Sequence, residues 1–231
     1  MLNRKRKRIM LLSICGMPRS GSTFSFNIAR ELLASRGSIY SEPTEEIERV
    51  VAQSHADSII IKNHNVHESG IELLKTGAMK GICTVRDPLD AIESLMDIFG
   101  FDIQQSIHAF QLWVDSFNAF HDHVLVIPYK TINASPMKVI LRIARYLGVT
   151  PGPLEVLRLR RKYDKKRVMK VSNKMSQQAG STTDLGFTYY DNENFFHRRH
   201  VRQEKRVSLD KETTAHIKQQ LQRMDLVYSY L

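Results

Sequence analysis

Residues 9 to 24, IMLLSICGMPRSGSTF, constrain the fold more than any other stretch. A short apolar run without polar alternation reads as a strand covered on both faces. It passes directly into two glycines five apart, Gly16 and Gly21, and then into the small hydroxyl residues Ser22 and Thr23. A strand that turns through such a loop into a helix aims backbone N–H groups and the positive end of the helix dipole at one point, which suits a phosphate. An ATP-binding loop of the G-x-x-x-x-G-K-[ST] kind needs a lysine after the second glycine. Here that place is Ser22, and the strong cation of the loop is Arg19. A tight strand-to-helix turn that needs two glycines for its own sake would read the same way, so the rest of the chain has to decide.

The pattern that follows alternates. Ser22 to about Ser35 predicts a helix ended by Gly37, and SIIIK (58–62) and GICTV (81–85) predict buried strands. DPLDAIESLMDIFG places Pro88 where a first helical turn tolerates it and closes on Gly100. Ile103, Ile107, Phe110, Val114 and Phe117 recur every three or four residues, the spacing of a core-facing helix to about Phe120, in which Trp113 reads as packing. HVLVIPY predicts another strand. A helix follows from Ser135 as N-cap, with Pro136 at its first turn, to Leu147, stopped by Gly148 and Pro151.

Strands alternating with helices predict a three-layer α/β/α fold around a central, mostly parallel sheet with P-loop-like nucleotide-binding topology. At 231 residues the chain suits one domain spanning 1–231. After Pro153 the character changes: LRLRRKYDKKRVMK is strongly basic, and about 165–208 reads as lid-like or flexible. A last helix, about 209–226, carries Ile217, Leu221 and Met224 on one face.

A formal charge of +10 favours anionic partners, from nucleotides to nucleic acid, acidic glycans or lipid. Part of it is RKRKR at 4–8, read as a solvated basic arm (1–8), with nuclear import or nucleic-acid contact as the alternative. The apolar run after it is short, lacks a small-residue cleavage site and enters the glycine loop, so it reads as core rather than signal peptide. No stretch approaches the roughly 18 apolar residues of a membrane span. A soluble, cytoplasmic protein is the expectation. Cys15 and Cys83 sit in apolar strand-like runs and are expected to be reduced core residues. HNVH (His64, His67) and HRRH (His197, His200) lack a carboxylate or helix pattern that would make a zinc site, and no metal is expected.

Ligands of open α/β sheets sit at the carboxyl ends of the strands. Four features fall there: GMPRSGSTF, KNH (62–64), RDPLDAIES (86–94) and the Pro128-Tyr129 pair. Arg86 ends a strand and Ser94 lies about two helical turns on, so both can grip an anion; a surface Arg86–Asp87 ion pair is the plainer alternative. Lys62 and His64 alternate with Asn63 and point the same way in extended geometry. A histidine there suits proton abstraction near neutral pH.

Together, PRSGSTF, KNH and the Arg86-to-Ser94 spacing resemble the sulfotransferases that use 3′-phosphoadenosine 5′-phosphosulfate (PAPS), in order and approximate separation, over residues 9 to about 130. The resemblance implies that Arg19, Ser20, Gly21, Ser22 and Thr23 bind the 5′-phosphosulfate and that Phe24 stacks on adenine. It implies Arg86 and Ser94 for the 3′-phosphate, with Tyr129 after the late strand. His64 would be the general base, and Lys62 would stabilise the bridging oxygen as the sulfuryl group leaves. Glu42, after a second strand, is the reserve base, since some sulfotransferases use a glutamate. The C-terminal closing stretch departs from the family pattern: HRRHVRQEKRVSL has neither the glycines nor the Trp, although Arg198 and Arg199 would supply cations there and His200-Val201 resembles a His-Ile pair.

The expected reaction is sulfuryl transfer from PAPS to a hydroxyl or amine of a small-molecule, glycan or lipid acceptor, leaving 3′-phosphoadenosine 5′-phosphate (PAP), with no nucleic-acid partner. A small-molecule kinase using Mg-ATP would need a loop lysine and an acidic magnesium-organising residue. A basic nucleic-acid-binding protein would rest on RRKYDKKR and the net charge.

Overall fold

The computed structural model describes residues 9–176, 180–184, 186, 189–197, 201 and 209–226. Five parallel strands form the central sheet: β1 (Met10–Ile14), β2 (Ile39–Glu42), β3 (Ser58–Lys62), β4 (Lys80–Val85) and β5 (Leu125–Pro128), in the order β2-β3-β1-β4-β5. Ten helices are described: α1 (Ser22–Ala34), α2 (Ile47–Gln53), α3 (Glu68–Lys75), α4 (Pro88–Phe99), α5 (Ile103–Phe120), α6 (Tyr129–Ala134), α7 (Pro136–Leu147), α8 (Pro153–Lys162), α9 (Lys165–Asn173) and α10 (Lys211–Gln222). A small antiparallel pair, β6 (Thr182–Asp184) with β7 (Tyr189–Asp191), lies apart from the sheet.

Why the strands read as unbroken apolar runs is visible in the two cores. Ile59 and Ile61 of β3 face one core and Ile60 the other; Cys83 and Ile82 of β4 divide in the same way. Successive side chains point to opposite faces, and both faces are covered. One core takes α2 to α5 and α10, the other α1 and α7 to α9, so the fold is the three-layer α/β/α arrangement the sequence predicts. Trp113 is fully buried beside Phe117 and donates its indole N–H to the Cys15 carbonyl at 3.3 Å, a packing role. Cys15 and Cys83 are free thiols in the core. α5 starts on a reciprocal cap between Asp102 and Gln105, which stabilises it by about 1 kcal/mol.

Three expectations change. Residues 165–173, placed in the flexible stretch, form α9, because Asp164 caps the Lys166 and Arg167 N–H groups and Val168 and Ser172 turn inward. Ser135 precedes α7, but its side chain makes no cap bond. The C-terminal helix is shorter than 209–226, covering Lys211–Gln222, with Met224 buried just past its end. Residues 1–8, the basic arm, lie outside the described residues.

Candidate active site

The glycine loop runs on from β1 alongside β4, with Cys15 N–H bonded to the Ile82 carbonyl at 3.1 Å and Met17 N–H to the Thr84 carbonyl at 2.8 Å. Gly16 allows this approach: a Cβ there would lie 2.2 Å from Thr84 Oγ1. Ser20 locks the loop from inside, its hydroxyl 2.6 Å from the Met17 carbonyl and 2.6 Å from Thr84 Oγ1. Its N–H is spent on Met17 as well. Ser20 is therefore a loop anchor whose polar atoms point away from the opening. Arg19 (φ 63°) and Gly21 (φ 88°) take left-handed backbone geometry and turn the chain into α1. Gly21, Ser22 and Thr23 border the cavity at the helix start, where N–H groups precede the first helical bonds.

The cavity holds about 600 Å³. Arg19, Phe24, Lys62, His64, Arg86, Ser94 and Tyr129 line it beside the loop, so the residues expected from four separate chain segments meet. Arg19 Nε donates to Ser94 Oγ at 3.1 Å, and its guanidinium lies 5.6 Å from the Phe99 ring centre. Arg86 pairs with Asp90 at 3.3 Å, not with Asp87, whose carboxylate caps α4 by accepting from Asp90 N–H. The Arg86 guanidinium donates to the Arg19 carbonyl at 3.3 Å and covers the Tyr129 ring at 4.9 Å. Its Nε is buried with no hydrogen-bond partner. A charged donor left over in a residue that lines the cavity suits an anionic ligand.

At the end of β3 the expected alternation holds: Asn63 turns into the fold, accepting from Ser13 Oγ at 3.2 Å, while Lys62 and His64 line the cavity. Burial, with Arg19 beside it, brings the Lys62 ammonium down to about 8. His64 Nδ1 lies 2.6 Å from the Gly16 carbonyl. A carbonyl only accepts, so Nδ1 carries the proton and Nε2 keeps its lone pair. Burial first, then Lys62 and Arg19, push His64 down to about 3 against that hydrogen bond. The ring is neutral at pH 7, in the form a base requires.

Glu42 does not join this group. It is held by Tyr40 Oη at 2.6 Å and by Arg49, and it is not among the cavity-lining residues. Burial raises its pKa, but the Arg49 and Tyr40 hydrogen bonds outweigh that and leave it lowered. Arg198, Arg199 and His200 lie outside the described residues. Within HNVH, His67 turns to Glu45 at 2.8 Å, away from His64. The described residues contain no cluster of three or more His, Cys, Asp or Glu placed to hold a metal ion, and no described helix is long and apolar enough to cross a membrane.

Phe196 and His197 also line the cavity; the sequence gives no sign of Phe196 as a site residue and weighs His197 only as a metal ligand within HRRH. His197 pairs with Tyr190 in an isolated bridge and sets its ring 5.7 Å from that of Phe99. Burial first, then Lys62, Arg19 and His64, lower it to about 3, which puts its ring in the field of the same cluster. The available signal was the aromatic run NFFH, which sits in a stretch with no helical or strand periodicity.

A family model described as "Sulfotransferase domain" matches residues 3–225. The fold is similar to mouse sulfotransferase SULT7A1 complexed with PAP, with a TM-score of 0.66 and 17% identity over 95% of this chain and 84% of that one. It is also similar to retinol dehydratase in complex with androsterone and inactive cofactor PAP, with a TM-score of 0.61 and 16% identity over 98% of this chain and 84% of that one. No curated protein sequence matches significantly.

Proposed function

Because the chain belongs to the sulfotransferase domain family, we propose that it transfers a sulfuryl group from PAPS to a hydroxyl or amine of an acceptor and releases PAP. The observation that carries this reading is that a proton-accepting His64, Lys62, Arg19 and Arg86 line one cavity, with the Arg86 Nε left without a hydrogen-bond partner. The residues suit such a donor. Arg86 and Ser94 would take its 3′-phosphate, and the Gly21 to Thr23 amides with Arg19 its 5′-phosphosulfate. Phe24 and Tyr129 supply rings beside those charges.

When bound, the donor supplies an activated sulfuryl group whose bond to the 5′-phosphate oxygen breaks as the acceptor oxygen or nitrogen bonds to sulfur. His64 Nε2 takes the acceptor's proton, and the Gly16 carbonyl fixes the tautomer that makes this possible. Lys62 and Arg19 stabilise the negative charge that gathers on the departing oxygen. An anion beside these groups also raises the basicity of His64. Phe99, Phe101 and Leu112 give the cavity an apolar wall, suited to the body of an acceptor rather than to its charges.

Thermal unfolding with PAP, ADP and Mg-ATP tests the donor, since a ligand that binds only the folded chain raises its apparent stability. PAP should give the largest shift, and Arg86→Ala should reduce it at a fixed PAP concentration. A larger shift with Mg-ATP would replace this reading with a kinase. PAPS affinity should also fall as pH rises through about 8, where Lys62 loses its proton, and Lys62→Arg should remove that fall.

A further inference from the structure

The charge of this protein is concentrated far more than its composition suggests. Residues 136–174 contain twelve Lys and Arg against two acids, a surplus equal to the formal +10 of the whole chain. These residues build α7, α8 and α9, which pack in succession on one face of the sheet. Val139, Ile143, Val156, Leu159 and Val168 turn inward, so the other side of each helix is solvent-facing. Among the described residues, only Arg158 and Lys162 of this set pair with a carboxylate, both with Glu31.

The same outward side carries apolar residues that a merely solvated face would not need. Among the described residues, five of the nine exposed large apolar side chains lie there: Met137, Leu141, Leu154, Leu157 and Val171, with Leu154 at 82% exposure. Leu154 and Leu157 lie one helical turn apart, and Arg158 and Arg161 follow each of them by four residues, so apolar and cationic groups share one stripe. Cations alone attract any polyanion. Leucines set among them gain where an anionic layer lies over an apolar one, as at the interface of a bilayer. We propose that the outer face of α7 to α9 docks on anionic lipid bilayers, the cations on headgroups and the leucines at the acyl boundary. Lys165, at the start of α9, also lines the cavity, so the docking face and the cavity share one helix.

The test uses the full chain and sedimenting vesicles of phosphatidylcholine, alone or with about a third phosphatidylserine. Binding should require phosphatidylserine and weaken with salt. Arg160→Glu, Arg161→Glu and Lys170→Glu together should lower vesicle partitioning on the order of 100-fold or more. Leu154→Ser with Leu157→Ser should lower it about tenfold while leaving retention on heparin unchanged. All five positions are exposed and none lines the cavity, so melting temperature and the PAP-induced shift should stay native in both variants. That control separates a failure of docking from a failure of the donor reading. If the leucine variant partitions like the native protein and heparin displaces both equally, the face is a polyanion site and membrane docking is wrong. If native protein ignores phosphatidylserine vesicles, or the charge variant binds them as well as native, it is equally wrong.

Discussion

The two walls of the cavity are held in place by different means. One wall is the carboxyl edge of the sheet. Its loop, Lys62, His64 and Arg86 hang from strands whose ladders fix them, and Ser20 and Gly16 tie the loop to β4. The other wall is Phe196 and His197, at the end of the segment 189–197, which has one bridge and a two-stranded ribbon. It is seated on α1 by side chains: Phe195 stacks on Phe26 at 4.5 Å, Asn27 donates to the Asn194 carbonyl at 2.8 Å, and Asp191 holds the N–H groups of Asn194 and Phe196. Groups that must meet charge to within a fraction of an ångström sit on the rigid wall. The second wall, which carries none of the cationic groups, can change with less effect on them.

The largest effect should come from the rigid wall. His64→Ala should lower turnover by about 100-fold or more, read as PAP release with acceptor present, while the PAP-induced thermal shift persists. Native turnover in that variant would remove His64 as base. Next, Arg86→Ala should weaken PAP binding roughly 10- to 100-fold, the range for charge-assisted hydrogen bonds, as measured by calorimetry. An equal loss from Phe195→Ala would mean that the donor leans on both walls alike, and the contrast drawn between them would fail.

A pH experiment sharpens the comparison, because each wall contributes one histidine to the same cluster. The ordinary histidine value is 6.5, and both His64 and His197 are lowered to about 3 in the folded chain. Between those values the unfolded chain binds protons that the folded chain does not, so stability falls as pH drops below about 6.5 and continues to fall toward about 3. At pH 5 both histidines should therefore make the folded chain less stable than at pH 7. His197→Asn should flatten the fall in melting temperature between pH 7 and 5 while leaving PAP binding within a few-fold. An unchanged slope would place His197 outside the cluster.

The rigid wall was legible in the sequence for the reason that it is rigid. Period-two alternation in parallel strands buried on both faces leaves few choices, so Ile59 to Lys62 predicts both the strand and the direction of Lys62 and His64. The glycine loop is local chemistry, readable without knowing what packs on it. The second wall depends on partners such as Asn27 and Asn194, 167 residues apart, and no local pattern encodes that meeting. α8 and α9 were hidden differently. Their inward stripe of Val156, Leu159, Tyr163 and Val168 is thin, and the surrounding Lys and Arg make the segment look solvated throughout. α2 and α3 are short, and neither has a side-chain cap bond at its start to mark it.

The smallest expected effect concerns Glu42, the carboxylate at the end of β2 that sequence order alone allows as a second base. A base needs a free lone pair within reach of the acceptor proton. Both Glu42 oxygens are engaged, one by Tyr40 and one by Arg49, and the residue is not among those lining the cavity, so neither oxygen is placed to take the acceptor's proton. Glu42→Gln keeps the shape and an oxygen for one donor, and the loss falls on a partly exposed ion pair worth about 1 kcal/mol or less. Turnover should therefore remain within about twofold of native, and the melting temperature should drop by only a few degrees. A loss as large as that of His64→Ala, with PAP binding kept, would move the base from β3 to β2 and put the catalytic proton at the edge of the sheet instead of beside its central strand.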